Sequence, residues 1–403
     1  MQIYKVGGCI RDRLLQREIK DRDWVVVGSS PREMEALGYR AVGKDFPVFL
    51  HPDTHEQYAL ARTERKTGPG YRGFNVDSSS TVTLEQDLSR RDLTINALAE
   101  AEDGTIIDPY NGRNDLRDGV LRHVSPAFVE DPLRILRVAR FAARFDFDVA
   151  PETNRLMQTM ATSGELLTLA PERVWSELER ALGEPHPDLF IRTLRGCDAL
   201  AVLFPEIDRL FGVPQPEKYH PEIDTGTHIC LAVKQAARRC ASAPVRFAVL
   251  VHDLGKGMTD PALYPAHFGH EERGVDLVRA FCDRFRVPKA HRSVALAVTR
   301  YHLQVHRAES LRPAKLLTLL SNLDALRRPQ RFDEILLACE IDATGRDGKA
   351  QAPYPAADYL RRAQTIIRAV ETGKLTRQGL HGQTLGVALD SARVAALRFA
   401  LFT

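Results

Sequence analysis

At roughly 100 to 200 residues per domain, a chain of 403 residues predicts two to four domains, and its 44% hydrophobic content is ample for packed cores. The 56 Lys+Arg against 53 Asp+Glu leave a net charge of only +3, so no block of like charge marks a nucleic-acid partner and any basic surface must be local. Charge recurs too often in MQIYKVGGCIRDRLL for a signal peptide, no later run approaches a membrane span, and the six scattered cysteines form no Cys-x-x-Cys pair, so the expectation is a cytoplasmic protein without membrane segments, disulfides or a thiolate zinc site.

Residues 1 to about 120 read as mixed α and β. GGCIRDRLLQ (7–16) predicts a glycine turn followed by a short helix, and DWVVVG (23–28), FPVFLH (46–51) and QYALART (57–63) predict strands. HPDTHE (51–56), with Pro and Asp between two of them, predicts a hairpin loop. From about residue 128 the pattern becomes helical. In DPLRILRVARFAARF (131–145), Pro132 stands in the first turn, and Arg134, Arg137, Arg140 and Arg144 share one side of a 3.6-residue period. PERVWSELERALG (171–183) predicts a second helix, with Pro at its start and Gly at its end. The Pro-rich stretch 204–226 reads as a domain boundary before a His-rich helical block at 228–306. The remainder is helical, with loops at 343–357 and 379–386.

Asp21 and Asp23 flank Arg22 just before the apolar run Trp24 to Val27, so on an extended strand both carboxylates point to one face. Two such carboxylates suit a pair of divalent cations that hold a triphosphate and lower the pKa of an attacking hydroxyl. Taken alone, the pattern is a solvated turn. Context changes that reading: upstream lie Gly7 and Gly8, whose missing side chains let backbone N–H groups approach phosphate, and Arg11, placed to clamp the same triphosphate.

With GGCIRD (7–12), KDRDWVV (20–26), RRDLTINALA (90–99), IIDPYNGRNDLRDGVLRHV (106–124) and EDPLRILRVARF (130–141) in this order, the sequence resembles the polymerase-β superfamily of nucleotidyltransferases. Within it the chain is similar to the bacterial class II tRNA CCA-adding enzymes that carry an HD domain. The resemblance implies an α+β architecture: a nucleotidyltransferase head of mixed sheet and helices over 1–125, a helical neck and body over 126–225, an α-helical HD domain over 226–330, and a helical tail over 331–403. The activity it implies is template-independent addition of C, C and A to the 3′ end of tRNA from CTP and ATP, by a monomer or homodimer.

The same resemblance assigns roles. Asp21 and Asp23 are implied as the catalytic pair and the Mg2+ ligands, with Gly8 and Arg11 on the nucleotide. Arg91, Asp92 and Asn96 are implied to contact the incoming nucleotide and its sugar, although Asp92 also reads as a helix cap. Asp131 and Arg134 are implied to read the base. A carboxylate accepts from the exocyclic amino group of C or A, where G and U present an oxygen, and a guanidinium donates to the ring acceptors. Arg137 and Arg140 are implied to face the nucleotide with Arg134. The glycines of KTGPGYRGF (66–74) match the flexible loop of these enzymes. A third carboxylate that some relatives carry on YALART falls here on Ala59 or an apolar neighbour.

His252-Asp253 in HDLGKG, with His228 before it and His302 after it, resembles an HD metal-dependent phosphohydrolase site. Imidazoles plus a carboxylate suit Ni2+ or another divalent transition metal. Leu303 stands where relatives often carry Asp, and Asp342 is a distant substitute. Three other readings stay open: a poly(A) polymerase of the same superfamily, a sensor that nucleotidylates a regulatory protein and carries an HD domain, and a non-catalytic tRNA-binding protein.

Overall fold

The computed structural model describes residues 1–19, 21–42, 48–66, 74–371, 373, 377 and 380–402. Most of the glycine loop read from KTGPGYRGF, residues 67–73, lies outside them. The chain divides into two compact units, residues Met1–Ala181 with Leu189–Leu203, and Leu182–Asp188 with Phe204–Thr403.

The first unit is built on a seven-stranded sheet in the order β3-β4-β5-β2-β1-β8-β9. Its strands are β1 (Gln2–Val6), β2 (Asp23–Val27), β3 (Arg40–Val42), β4 (Val48–Leu50), β5 (Gln57–Leu60), β8 (Ala99–Glu100) and β9 (Ile106–Ile107), while β6 (Thr63–Lys66) and β7 (Phe74–Asp77) form a separate antiparallel hairpin. β1 and β2 run antiparallel and β2 and β5 parallel, which puts Asp23 beside Gln57 and Val25 beside Ala59. The expected hairpin over 51–56 joins the antiparallel strands β4 and β5.

Strand alternation explains the two cores. Val25 packs with Val6, Leu88, Ala97 and Ala99 on one face, while Val26 packs with Met34, Phe49, Tyr58 and Leu60 on the other. Asp23, two residues before Val25, therefore projects on the face covered by residues 82–99. Each fully buried Leu or Val contributes about 1.5 to 3 kcal/mol, so this alternation fixes which face Asp23 occupies. The helices of this unit are α1 (Gly8–Leu14), α2 (Pro31–Ala36), α3 (Leu84–Ser89), α4 (Gly112–Asp118), α5 (Leu133–Phe145), α6 (Pro151–Thr162), α7 (Pro171–Gly183), α8 (Pro187–Gly196) and α9 (Ala199–Leu203), the ends of α7 and α8 reaching the division between units.

The second unit is helical: α10 (Pro205–Asp208), α11 (Thr225–Arg238), α12 (Ala243–Val251), α13 (His270–Phe285), α14 (Lys289–His306), α15 (Pro313–Asn322), α16 (Pro329–Thr344), α17 (Pro355–Arg368) and α18 (Gly382–Phe402). Helix α12 is apolar apart from Arg246, with Val245 and Phe247 to Val251 buried, because α11, α14 and α16 pack about it. The stretch 204–226, read from sequence as a boundary, belongs to this unit, and α16, read as part of a tail, packs into it. The mixed-sheet head followed by helices bears out the α+β expectation. None of the six cysteines is in a disulfide, and among the described residues no helix is long and apolar enough to cross a membrane.

Candidate active sites

In the first unit, Asp21 and Asp23 line one cavity of about 780 Å³ together with Arg22, His55, Glu56 and Gln57. Both aspartates are exposed, and among the described residues neither carboxylate is in a hydrogen bond or ion pair. Asp23 is solvent-accessible as a residue, yet burial of its carboxyl raises its pKa above the ordinary value; Arg91 opposes that rise and Asp21 adds to it. A site that raises a carboxylate pKa in this way is relieved by a bound cation. The residue beside Asp23 on the neighbouring strand is Gln57, whereas Ala59 sits beside Val25. The strand register thus puts the amide of Gln57, and not Ala59, beside Asp23.

The glycine turn leads into α1. Gly7 has φ +74°, and a Cβ there would stand 2.8 Å from Arg91 Nη1, so glycine is required and the turn lies against Arg91. The Gly7 amide is already donated to Leu98 O at 2.9 Å, which leaves Gly8 as the glycine that opens the helix.

Several predicted nucleotide-binding residues form an internal network instead of an open surface. Arg11 is only 4% exposed, donates to Asp12 Oδ1 at 2.9 Å and to Asn96 Oδ1, and packs over the rings of Phe141 and Phe145. Burial lowers the pKa of its guanidinium, while the neighbouring Asp12 opposes that fall. Asp92 accepts from Asn96 Nδ2 at 2.9 Å and pairs with Arg137 at 2.7 Å. Although burial opposes it, the Arg137 partnership drives the Asp92 pKa well below the usual carboxylate range.

The arginine face of α5 is consumed in the same way. Arg140 is buried against Glu177 of α7 at 2.6 Å, and Arg144 pairs with Asp12 at 3.0 Å. Arg137 and Arg140, expected from the resemblance to face the nucleotide with Arg134, pair in this structure with Asp92 and Glu177. Arg134 donates to the Ala127 carbonyl at 2.7 Å and to the Arg90 carbonyl at 2.5 Å. Asp131 accepts from Leu133 N at 3.0 Å and pairs with Arg173 at 3.1 Å. Arg173, Glu177 and Gln57 are the residues of this region that sequence reasoning missed.

The second unit gathers imidazoles and carboxylates from five helices around the C-terminus of α12. His228, His252 and Asp342 form one group, and Asp253, His270 and His302 another, all of them buried. In the first group Asp342 Oδ1 lies 3.1 Å from His228 Nε2 and 3.5 Å from His252 Nε2. In the second, Asp253 Oδ1 lies 3.4 Å from His270 Nε2 and 3.7 Å from His302 Nε2. His252 and Asp253 are adjacent in sequence, so the two groups share a wall. The four residues selected from sequence all fall in these groups, joined by His270 and by Asp342, the distant carboxylate noted beside Leu303.

Close packing builds this arrangement. A Cβ on Gly255 would stand 1.9 Å from His270 O, so only glycine lets the turn after Asp253 touch the start of α13. Two buried atoms, His252 Nε2 and Asp253 Oδ1, have no hydrogen-bond partner. Orphaned buried acceptors are costly unless something fills the space between them, and the donor set of imidazoles and carboxylates suits a divalent transition metal. Burial disfavours charge on His252, yet Asp253 and Asp342 outweigh it and push its pKa up to about 10. A bound cation would stand in place of that proton. Burial holds His302 neutral, the form that ligates.

Comparison with known proteins follows the same division. Residues 3–122 match the family model for the poly A polymerase head domain, 146–211 that for a probable RNA and SrmB-binding site of polymerase A, and 225–344 that for the HD domain. The chain is 58% identical over 403 residues to a multifunctional CCA protein of Nitrosococcus oceani, covering 100% of this chain and 99% of that one. It is 60% identical over 401 residues to another from Thioalkalivibrio sulfidiphilus, covering 99% and 98%. Among solved structures, the fold is similar to that of the Bacillus stearothermophilus CCA-adding enzyme in complex with CTP, with a TM-score of 0.65 at 24% identity over 98% of this chain and 89% of that one. It is also similar to the Thermotoga maritima CCA-adding enzyme complexed with tRNA, with a TM-score of 0.63 at 21% identity over 98% and 87%.

Proposed function

Because the chain belongs to the family of multifunctional CCA proteins, we propose that its first unit adds C, C and A to the 3′ end of tRNA at Asp21 and Asp23 and that its second unit is a phosphohydrolase. The observation that carries the first assignment is the pair of unpartnered carboxylates on one solvent-open cavity, on a sheet face where the Gly7 turn meets Arg91. The tRNA 3′-hydroxyl attacks the α-phosphate of CTP or ATP and pyrophosphate leaves. Asp21 and Asp23 would hold Mg2+, which supplies charge neutralisation on the phosphates and a lower pKa for the attacking hydroxyl when bound. Gly8 and Arg91 flank the triphosphate, and the buried Arg11–Asn96–Asp92–Arg137 chain fixes the loop that presents Arg91. Asp131 reads the exocyclic amino group and Arg134 the ring acceptors, with Arg173 setting the direction of the Asp131 carboxylate.

The buried groups around His252 and Asp253 are read as the phosphohydrolase centre, acting on 2′,3′-cyclic nucleotides and related phosphoesters in the presence of Ni2+, Mn2+ or Co2+. A divalent ion held there would polarise the phosphate and activate water. His228, His252 and Asp342 would hold one such ion and Asp253, His270 and His302 the other. CTP, ATP and tRNA are the partners, and the cytoplasm is the setting. Incubating the purified chain with tRNA lacking its terminal three nucleotides tests the reading: CTP alone gives two C residues, and ATP then completes the end. Addition of A without prior C would favour a poly(A) polymerase instead.

A further inference from the structure

Residues 213–224 look from sequence like a connector, yet they bury polar side chains against the ligand cluster of the second unit at two places. Gln215 is 2% exposed, and its Oε1 accepts from Lys256 Nζ at 2.6 Å. The same Nζ donates to Asp253 Oδ2, also at 2.6 Å. Lys256 therefore occupies one oxygen of Asp253 and leaves Oδ1, the orphaned one, turned toward His270 and His302. At the second place, Glu222 Oε1 lies 2.9 Å from His228 Nδ1 and 3.2 Å from His220 Nδ1. The contact to His228 is short but oblique, since Nδ1 has no aligned acceptor. Across the same ring, Nε2 faces Asp342 at 3.1 Å.

The segment is itself pinned. Gln215 N donates to Ile223 O at 2.8 Å, Thr225 N to Val213 O at 3.0 Å, and Asp347 N to Glu222 Oε2 at 3.4 Å. A mere spacer has no reason to bury a glutamine, a histidine and a glutamate, because each costs free energy unless partnered.

We propose that residues 213–224 are an orienting shell for the metal centre, Glu222 setting the ring of His228 and Gln215, through Lys256, setting the carboxylate of Asp253. The inference rests on the phosphohydrolase reading above. An imidazole ligates through a lone pair in its ring plane, so a carboxylate beside the other nitrogen fixes both tautomer and ring angle. Lys256 does the equivalent for Asp253 by claiming the oxygen that must not ligate. Glu222 and Gln215 are positioning residues, and they act on different groups: Glu222 on His228, His252 and Asp342, and Gln215 on Asp253, His270 and His302.

The test is calorimetric titration of the full, chelator-stripped chain with Ni2+, comparing wild type with E222A, E222Q, Q215A and the E222A/Q215A double variant. CCA addition by the same samples serves as the folding control. Glu222→Ala weakens binding about 10- to 100-fold at unchanged stoichiometry, the range for loss of a group that orients a metal ligand. Glu222→Gln loses less, because its amide oxygen still stands as a dipole beside His228 Nδ1, and it keeps the test open should the alanine variant fold poorly. Gln215→Ala also weakens binding, and the double variant shows the product of the two effects because the sites differ. In the Co2+-loaded chain, the shifted Nδ1–H resonance of His228 survives in Glu222→Gln and broadens by solvent exchange in Glu222→Ala. Wild-type affinity in both single variants overturns the inference. Loss of a whole equivalent of metal in Glu222→Ala also overturns it, making Glu222 a ligand. A wild type that binds no divalent ion sinks the phosphohydrolase reading, and the inference with it.

Discussion

The candidate-site carboxylates of the first unit, Asp21 and Asp23, are exposed, and those of the second, Asp253 and Asp342, are buried, a contrast that suits two ways of handling metal. Asp21 and Asp23 stand in an open cavity with no ion-paired cation among the described residues, whereas Asp253 and Asp342 are 1% and 2% exposed and ringed by imidazoles. Two exposed carboxylates cannot complete an octahedron, so an Mg2+ held there would need the oxygens of the nucleotide as well. The six buried donors would hold an ion without substrate. On the proposed reading the first centre would take up its metal with the nucleotide, and the second would keep its own.

The strongest way to break this comparison is to remove one carboxylate from each side. Asp21→Ala or Asp23→Ala should reduce transfer of both C and A about a thousandfold or more, on the order of 4 kcal/mol, because both nucleotides use one site. Binding of tRNA, measured by filter retention, should stay close to wild type. Near-normal addition by Asp21→Ala at saturating Mg2+ contradicts the assignment. In the second unit, His252→Ala or Asp253→Ala should remove metal-dependent hydrolysis of 2′,3′-cyclic AMP and the bound metal together, with CCA addition unchanged. Metal analysis and the two activity assays on one preparation check this.

These expectations show what one sequence carries and what it does not. The alternation of DWVVV placed Asp23 on a strand, and the caps of PERVWSELERALG predicted the span the structure gives to α7. Periodicity also showed that Arg134, Arg137, Arg140 and Arg144 share a side of α5. It could not say what that side meets, because the partners Asp92, Glu177 and Asp12 lie 45, 37 and 132 residues away. Strand register was equally hidden, and a shift of two residues separates Ala59 from Gln57, the residue that stands beside Asp23. Asp342 was legible only as a distant carboxylate, and the place of His270 beside Asp253 was not, since their helices converge on the His252-Asp253 pair only through packing of α13 and α16.

Smaller effects sharpen the picture within the first unit. Asp131→Ala should lower the preference for CTP over UTP, measured as a ratio of kcat/KM, by about 10- to 100-fold, since discrimination by one base-reading group is worth about 1 to 3 kcal/mol. An unchanged ratio assigns base reading to another residue. Gln57→Glu should act more weakly, lowering the Mg2+ concentration for half-maximal rate a few-fold. The added charge beside Asp23 raises a pKa that burial and Asp21 already raise. A raised carboxyl pKa keeps the acid protonated to higher pH, so the acid limb of the pH–rate profile should move upward; a downward shift would show that Gln57 does not neighbour the metal site.

The independence of the two centres is tested most directly by stripping transition metals from the full chain with a chelator, returning it to Mg2+ alone, and assaying both activities on the same sample. The account predicts complete addition of C, C and A to tRNA lacking its 3′ end, with cyclic-nucleotide hydrolysis absent until Ni2+, Mn2+ or Co2+ is restored. Loss of CCA addition on stripping, with recovery only on adding a transition metal, would contradict it.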